Sequence, residues 1–389
     1  MQNNKQTVAV VFGGISVEHD ISIITGVQTL NALKKGRYNV VPVYITKSGE
    51  WWTGEKLWDI NFYSNFSKKS LQKVSLMQKG IQIQKFMGKK KIKLDFAFFA
   101  LHGSFGENGC MQGLFDVYNI PYSSCGVLGS SICTNKYLAK LLCKSKKIPI
   151  VSGILLKEED KIKNFEWIEK RLSRLNFPLI VKPNNLGSSI GVSFCKNKKE
   201  LKDAIDFAFM FDREVLVEKA VANLIEYNIA LLGNSFSCEC SNIEKVVPDN
   251  NILSFEGKYM SQGQGKGMEN LSRIVPAKID SKLQLQIENL AKKIYKLLNL
   301  RGVVRLDFLF DEKESKLYFN EVNTIPGSLA NYLFSNHQYN FTQLLEKAKD
   351  YVLIEREVLS HKLTRFSSSV LKNVQLGSKT KFGNSKIKE

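Results

Sequence analysis

Proline is scarce here, at 8 of 389 residues, and no apolar run approaches the roughly 20 residues that a membrane span requires. The polar start, Met1 to Thr7, is followed only by the short run Val8 to Phe12, far less than a signal h-region, so the chain is expected to be cytoplasmic. The 7 cysteines are odd in number and include no Cys-x-x-Cys pair. Cys238-x-Cys240 is too close for a usual bridge or a zinc knuckle, which leaves reduced thiols as the economical reading. No internal repeat, helix-turn-helix, zinc knuckle or aromatic RNP motif is present. Acids are also short, 37 against 56 basic residues, for a net charge of +19. The excess is scattered (Lys89-Lys90-Lys91, Lys144 to Lys147, Lys196 to Lys199 and the last thirty residues) and is read as compositional bias. No membrane and no specific nucleic acid is expected as partner. A basic nucleic-acid-binding protein is kept as the rival of another class.

What is present suits a soluble chain of two or three domains: 43% hydrophobic and 24% charged residues. Val8 to Phe12 reads as a buried strand, broken at Gly13-Gly14, with a helix from near Ser16 and Glu18 to Leu33. Strand, glycines, helix opens an α/β domain with a helix N-terminus aimed above the sheet. Val40 to Ile45 is the next strand. Trp51 to Gly80 has no clean period and receives no assignment. Leu94 to Leu101 reads as a central buried strand, followed by the loop Gly103 to Gly109 and a helix from Met111 to Tyr118. One helix is expected from Ser130 to Lys147. A compact α+β unit follows: strands at Phe177 to Lys182, Ile190 to Phe194 and Val215 to Lys219, with a helix at Glu200 to Met210. A third unit begins near Glu226 and holds a strand (Tyr227 to Leu232), a glycine-rich loop (Gly263 to Gly267) and helices Ser281 to Leu298 and Asn340 to Leu353. After roughly Arg356 the Ser/Lys/Asn-rich sequence is expected to be a disordered basic tail.

The most telling chemistry lies in two strands of the third unit, Val303 to Phe310 and Lys316 to Thr324, joined by the charged stretch Asp311 to Ser315. Side chains alternate along a strand, so Arg305 shares a face with Asp307, and Glu321 with Asn323. If Asp307 lies opposite Glu321, Arg305 lies near Asn323 and all four point one way. Two carboxylates and an amide oxygen, without histidine or cysteine, form a hard oxygen-only set suited to Mg²⁺ carrying phosphates. A surface hairpin facing water is the plainer account of Glu-Val-Asn alone; the Arg-x-Asp strand and the Pro326-Gly327 stop argue against it. The segment Lys182 to Gly191 lies between strands and lacks the Walker A pattern. Its glycines and serines can still fold N–H groups over phosphate oxygens, with Lys182 adding a point charge. Together these read as an ATP site between two α+β halves.

Six ordered stretches resemble the D-alanine–D-alanine ligases of the ATP-grasp superfamily: Gly13-Gly14 to His19, His102-Gly103 to Gly113, Val181-Lys182-Pro183 to Gly191, Lys258-Tyr259, Arg305-Leu306-Asp307, and Asn320 to Gly327. The likeness spans about residues 7 to 355. It implies an α/β protein with an N-terminal Rossmann-like (pre-ATP-grasp) domain (1–129), two α+β ATP-grasp subdomains (130–225 and 226–355), and the tail 356–389 outside. It implies ligation of two D-alanines through an acyl phosphate for peptidoglycan precursors, with ATP as co-substrate and two Mg²⁺ ions, or Mn²⁺ in their place.

By the same resemblance, Asp307, Glu321 and Asn323 hold metal. Lys136, Lys182, Gly187, Ser189, Glu218, Lys219, Val221, Glu226 and Lys258 bind the nucleotide. Glu18, Ser188, Tyr259 and Arg305 serve catalysis, and His102 and Tyr332 meet substrate. A homodimer is expected from the family alone. Each residue has a plainer role to weigh: a dipole-stabilised charge for Glu18, a solvated lysine for Lys136, a turn donor for His102, a surface aromatic for Tyr259. Glu107 is expected only as a loop hydrogen-bond partner. Two departures stand out. Tyr332 occupies the position where the family usually has a serine near the second carboxylate, and Asn223-Leu224-Ile225 replaces a common Gly-Arg before Glu226. Relatives using D-serine or D-lactate as second substrate, or binding nucleotide without ligating, are the nearer rivals.

Overall fold

The computed structural model describes residues 5–34, 38–248, 271–335 and 338–362. The first sheet contains β1 (Gln6–Gly13), β2 (Tyr38–Ile45), β3 (Trp51–Thr53), β4 (Gln72–Met77), β5 (Gly80–Gln84), β6 (Lys89–Lys93) and β7 (Phe96–Phe99), in the order β6-β5-β4-β3-β2-β1-β7. β1 runs parallel to β2 and β7, and the rest are antiparallel. Val8 to Phe12 are fully buried, as parallel strands covered on both faces must be. Helix α1 (His19–Lys34) lies close against β1 because Gly26 has no side chain; a Cβ there would sit 2.3 Å from the Phe12 ring.

Two readings of this region change. The expected central strand, Leu94 to Leu101, is the shorter β7 at the sheet edge, with only a single bridge from Ala97 to Tyr122 beyond it. Its apolar residues are buried against neighbouring rings, Phe99 stacking on Tyr122 at 5.0 Å and meeting Phe115 edge-to-face at 4.8 Å between centroids. The unassigned stretch 51–80 holds β3, β4 and three short 3₁₀ turns, whose tight three-residue repeat leaves no helical or strand period to read.

Next come α2 (Ser104–Glu107), α3 (Cys110–Val117), α4 (Val127–Thr134) and α5 (Lys136–Ser145). The single helix expected from Ser130 to Lys147 is thus two, broken at Asn135. Its side chain caps α5 by accepting the Leu138 N–H at 2.9 Å, as a short amide at an N-cap does. The second sheet is antiparallel, in the order β10-β9-β11-β8, with β8 (Gly153–Lys157), α6 (Phe165–Leu172), β9 (Leu179–Pro183), β10 (Ser193–Cys195), α7 (Lys198–Ala208) and β11 (Glu214–Lys219). The returning strand is thus β10, short of the expected Ile190 start. Ile168 and Leu172 of α6 and Leu201, Ile205 and Ala208 of α7 cover Leu179, Val181, Val215 and Val217. Alternation turns Lys182 and Glu218 to the opposite face.

The third sheet, β14-β13-β12-β15-β16, is antiparallel throughout, with β12 (Leu224–Gly233), β13 (Cys238–Pro248), β14 (Leu271–Ile274), β15 (Gly302–Asp311) and β16 (Lys316–Asn323). Helix α8 (Ser281–Leu297) buries Leu283, Ile287, Ala291 and Ile294 with Ile229, Leu231, Val304, Leu306 and Phe308. After α9 (Asn331–Phe334), α10 (Phe341–Ser360) starts at a reciprocal Asn340–Gln343 cap. Leu345 and Val352 enter the core of the first sheet, while Leu344 and Ala348 enter that under the third. The helix therefore passes Arg356, where the tail was expected to begin; an Arg301–Glu355 pair at 3.4 Å anchors this last part. Residues 363–389, Lys258, Tyr259 and the glycine-rich loop 263–267 lie outside the described residues. Among those described, no helix is long and apolar enough to cross a membrane.

Candidate active site

The acidic hairpin has the anticipated register: Asp307 lies opposite Glu321 and Arg305 opposite Asn323. The register shifts just beyond, so that Phe308 pairs with Phe319 and Asn320 is the extra residue of a β-bulge. Leu317 and Phe319 face the apolar core before the bulge and Val322 faces it afterwards. Were Asn320 to pair regularly, with no bulge, strict alternation would carry Glu321 into that core; with the bulge, Asn320, Glu321 and Asn323 all reach the polar face.

On that face Arg305 forks Asp307, with Nε at 2.7 Å from Oδ1 and Nη2 at 2.8 Å from Oδ2. Asn323 Nδ2 donates to the same Oδ2 at 3.0 Å. Burial would weaken the charge on Arg305, but Asp307 beside it outweighs this and holds the guanidinium charged. Glu321 Oε2 lies 3.3 Å from Lys136 Nζ. Burial alone would raise its carboxyl; Lys136, Lys182 and Arg305 overcome this and bring it to about 2. Glu321 is therefore an anion in waiting for cations. Among the described residues no three of His, Cys, Asp and Glu converge. Two carboxylates with an amide form a sparse, oxygen-only set, which fits a hard divalent ion that draws its remaining ligands from phosphates and water.

The second sheet and α5 supply the cations. Lys182, opposite Leu216, reaches diagonally to Glu218, with Nζ at 2.6 Å from Oε2 and 3.3 Å from Asn320 Oδ1 across the gap to β16. Lys136 opens α5 because of the break at Asn135, and its Nζ also donates to the Leu186 carbonyl at 2.5 Å. One turn on, Lys140 is buried and donates to Glu218 Oε1. Burial pushes Lys140 down to about 8, and the Lys182 charge adds to this against the pull of Glu218. Burial acts to raise Glu218, but the two lysines hold it below the usual carboxylate range.

The first sheet closes the other side. Gly187 and Ser188 in the loop after β9 approach Glu18, and Ser188 Oγ donates to Glu18 Oε1. Burial raises Glu18, opposed by Ser188 and Lys136, while the Glu321 charge adds to the rise. Gly103, at φ +65°, lets this approach occur, since a Cβ there would lie 2.4 Å from Glu18 Oε2. Buried His102 places Nε2 2.8 Å from Thr25 Oγ1, which also accepts the Ser328 N–H at 3.1 Å. Burial pushes His102 down to about 4, with the Ile325 backbone opposing.

Glu107 does more than tie its own loop. It accepts from Gly103 N at 2.8 Å, Ile325 N at 3.0 Å and Thr324 Oγ1 at 3.2 Å, joining the first unit to the end of the hairpin. Burial and the Glu18 charge raise it to about 7.

The remaining predicted residues are more dispersed. Tyr332 donates its hydroxyl to buried Glu244 at 3.1 Å, and the Arg273 guanidinium lies 5.1 Å over its ring. Burial raises the Tyr332 phenol to about 12. Ser189 stands beside Ser188, both at positive φ. Exposed Lys219 and half-buried Val221 follow Glu218, and Glu226 lies on β12 opposite Leu309. Lys140, Asn320 and Glu244 were not anticipated. Of these only Lys140 had a visible signal, four residues after Lys136 and hence on the same helical face.

Two family models cover most of the chain: D-ala D-ala ligase N-terminus over residues 7–125 and D-ala D-ala ligase C-terminus over residues 142–348. A D-alanine–D-alanine ligase of Thermosipho melanesiensis is 39% identical over 344 residues, 87% of this chain and 91% of that one. That of Caldicellulosiruptor bescii is 36% identical over 351 residues, 88% and 94% of the two chains. Among solved structures, the D-alanine–D-alanine ligase of Helicobacter pylori superposes with a TM-score of 0.70 at 30% identity, covering 89% of this chain and 98% of that one. The VanG D-Ala:D-Ser ligase of Enterococcus faecalis gives 0.76 at 28% identity, over 90% and 100%.

Proposed function

The chain belongs to the D-alanine–D-alanine ligase family, and from that premise we propose how its site works. The protein is an ATP-dependent, ADP-forming ligase that joins two D-alanines for peptidoglycan synthesis. A carboxylate oxygen of the first D-alanine attacks the γ-phosphorus, giving acyl phosphate and ADP. The amine of the second then attacks the acyl carbon, loses a proton, and inorganic phosphate leaves the tetrahedral intermediate.

Both steps gather negative charge on oxygen, which fixed cations stabilise without reorganising. Arg305 uses two of its N–H groups on Asp307 and keeps the rest of its fork for the moving phosphoryl group and the tetrahedral oxygens. Lys136 and Lys182 meet the phosphates from the opposite wall. The Gly187-to-Ser189 segment wraps them, with Lys258 on the nucleotide as well. Glu218, Lys219 and Val221 line the adenine pocket and Glu226 meets the ribose. Glu18 holds the first ammonium and, with Ser188 and Tyr259, bridges the units; His102 lies beside the first carboxylate and Tyr332 near the second. Asp307, Glu321 and Asn323 would hold two Mg²⁺ ions, or Mn²⁺, whose charge would neutralise the triphosphate. The nucleotide lies between units 130–225 and 226–355. A cytoplasmic homodimer completes the reading, supported by the family and by the need for ATP.

The observation that carries the site reading is the Arg305–Asp307 fork facing Glu321, with Lys136 and Lys182 closing on it. Incubation with ATP and D-alanine alone, followed by mass analysis, should yield D-alanyl-D-alanine with one ADP per dipeptide. Product only when D-serine or D-lactate is added would refute D-alanine as the second substrate.

A further inference from the structure

The far edge of the first sheet has a surface that ligation does not use. Residues 72–93, from β4 to β6, contain seven lysines (73, 79, 85, 89, 90, 91 and 93) and no aspartate or glutamate. Cross-strand pairing sets Lys89 opposite Gln84 and Lys91 opposite Gln82, so Lys89, Lys91 and Lys93 share a face with these glutamines while Ile81 and Ile83 turn to the core. Among the described residues Lys73 and Lys93 have acidic neighbours, Glu50 at 3.8 Å and Asp95 at 3.9 Å, whereas Lys85, Lys89, Lys90 and Lys91 pair with none.

The β5–β6 turn is closed by Lys85 N on the Gly88 carbonyl at 3.1 Å, with Gly88 at φ +85°. It presents Phe86 fully exposed and Met87 at 86% exposure. Lysines on an edge strand serve in themselves to keep other chains from pairing there. That role does not explain two large apolar side chains held outward at the tip, between the cations. Apolar residues flanked by lysines match the layered chemistry of an anionic bilayer surface, with phosphates at the height of the ammonium groups and acyl chains just below.

We propose that this hairpin docks the protein on a membrane surface rich in anionic phospholipid, Phe86 and Met87 entering between headgroups that Lys85, Lys89, Lys91 and Lys93 engage. β6 lies six strand intervals from β7, about 29 Å at ordinary sheet spacing, so docking would leave the cleft open.

The full chain should sediment with phosphatidylglycerol-containing vesicles and not with pure phosphatidylcholine, and added salt should release it. Phe86→Ser with Met87→Ser should weaken vesicle binding about tenfold. Lys89→Gln, Lys91→Gln and Lys93→Gln should each weaken it about fivefold. Ligation should be unchanged in all of them, which shows that the variants fold. Absence of binding, equal binding to both vesicle types, or variants that bind like the parent would overturn the proposal. So would retention on DNA as strong as on vesicles and indifferent to the Phe86 and Met87 changes, because that marks bare polyanion attraction.

Discussion

Lys140 and Glu218 form a buried ion pair between the first full turn of α5 and the end of β11, with Lys182 on the other oxygen of the same carboxylate. Three charges thus leave water together, and the arrangement holds only while the carboxylate has its cations. Lys140→Met removes one of two partners. Unfolding in urea should show a loss of about 2 kcal/mol, less than for a carboxylate stripped of its sole partner. The KM for ATP should rise while that for D-alanine holds. Unchanged stability and unchanged KM would show the pair to be ornamental.

Asp307→Asn keeps the shape but removes the charge that fixes Arg305 and faces the metal side. Ligation should fall by about a thousandfold or more, with the circular dichroism spectrum retained. Near-normal turnover would remove Asp307 from the site.

His102 and Glu107 impose opposite pH dependences on stability. His102 titrates near 6.5 unfolded and at about 4 folded, so between these the unfolded chain binds the extra proton, and stability rises with pH. Glu107 titrates near 4.5 unfolded and at about 7 folded, so there the native state holds the extra proton, and stability falls as pH rises. Each slope is at most about 1.4 kcal/mol per pH unit, and they largely offset between pH 4.5 and 6.5. Urea midpoints of His102→Gln should therefore decline from pH 4.5 to 7, and those of Glu107→Gln should climb from pH 4 to 6.5. Parallel profiles for the two variants would contradict both assignments.

Tyr332→Phe deletes the hydroxyl that bonds Glu244 but leaves the ring under Arg273. If Tyr332 borders the second amino acid, the KM for the second D-alanine should change several-fold and that for the first should not. Equal changes in both would place Tyr332 outside the second subsite.

Much of this was legible in the sequence because alternation and helical periodicity are local. β1, α8 and the two strands of the acidic hairpin could be read directly, and the shared faces of Arg305 with Asp307 and of Glu321 with Asn323 followed from alternation. The bulge at Asn320 that sets Asp307 opposite Glu321 left no mark in the sequence. What escaped depends on partners distant in sequence. Asn135 sits in a run whose apolar spacing suits one helix, and only the Asn184 carbonyl, accepting the Lys136 N–H at 3.1 Å, shows why the chain restarts there. β4 and β5 alternate, at Val74 and Leu76 and at Ile81 and Ile83, but over only six and five residues, and the lysine run of β6 has one apolar residue, Ile92. Glu107 looked like a loop residue because its Thr324 and Ile325 partners lie more than two hundred positions away.

The extra residue in β16 divides the hairpin into parts with unequal tolerance of change in length. Additions or losses within the Glu312 to Ser315 connection leave both faces as they are. A single deletion between Leu317 and Phe319 would work as a spatial frameshift, turning Leu317 out and Lys316 into oil while the strand itself still formed. Loss of Asn320 alone would instead straighten the strand and leave Glu321 and Val322 on their present faces.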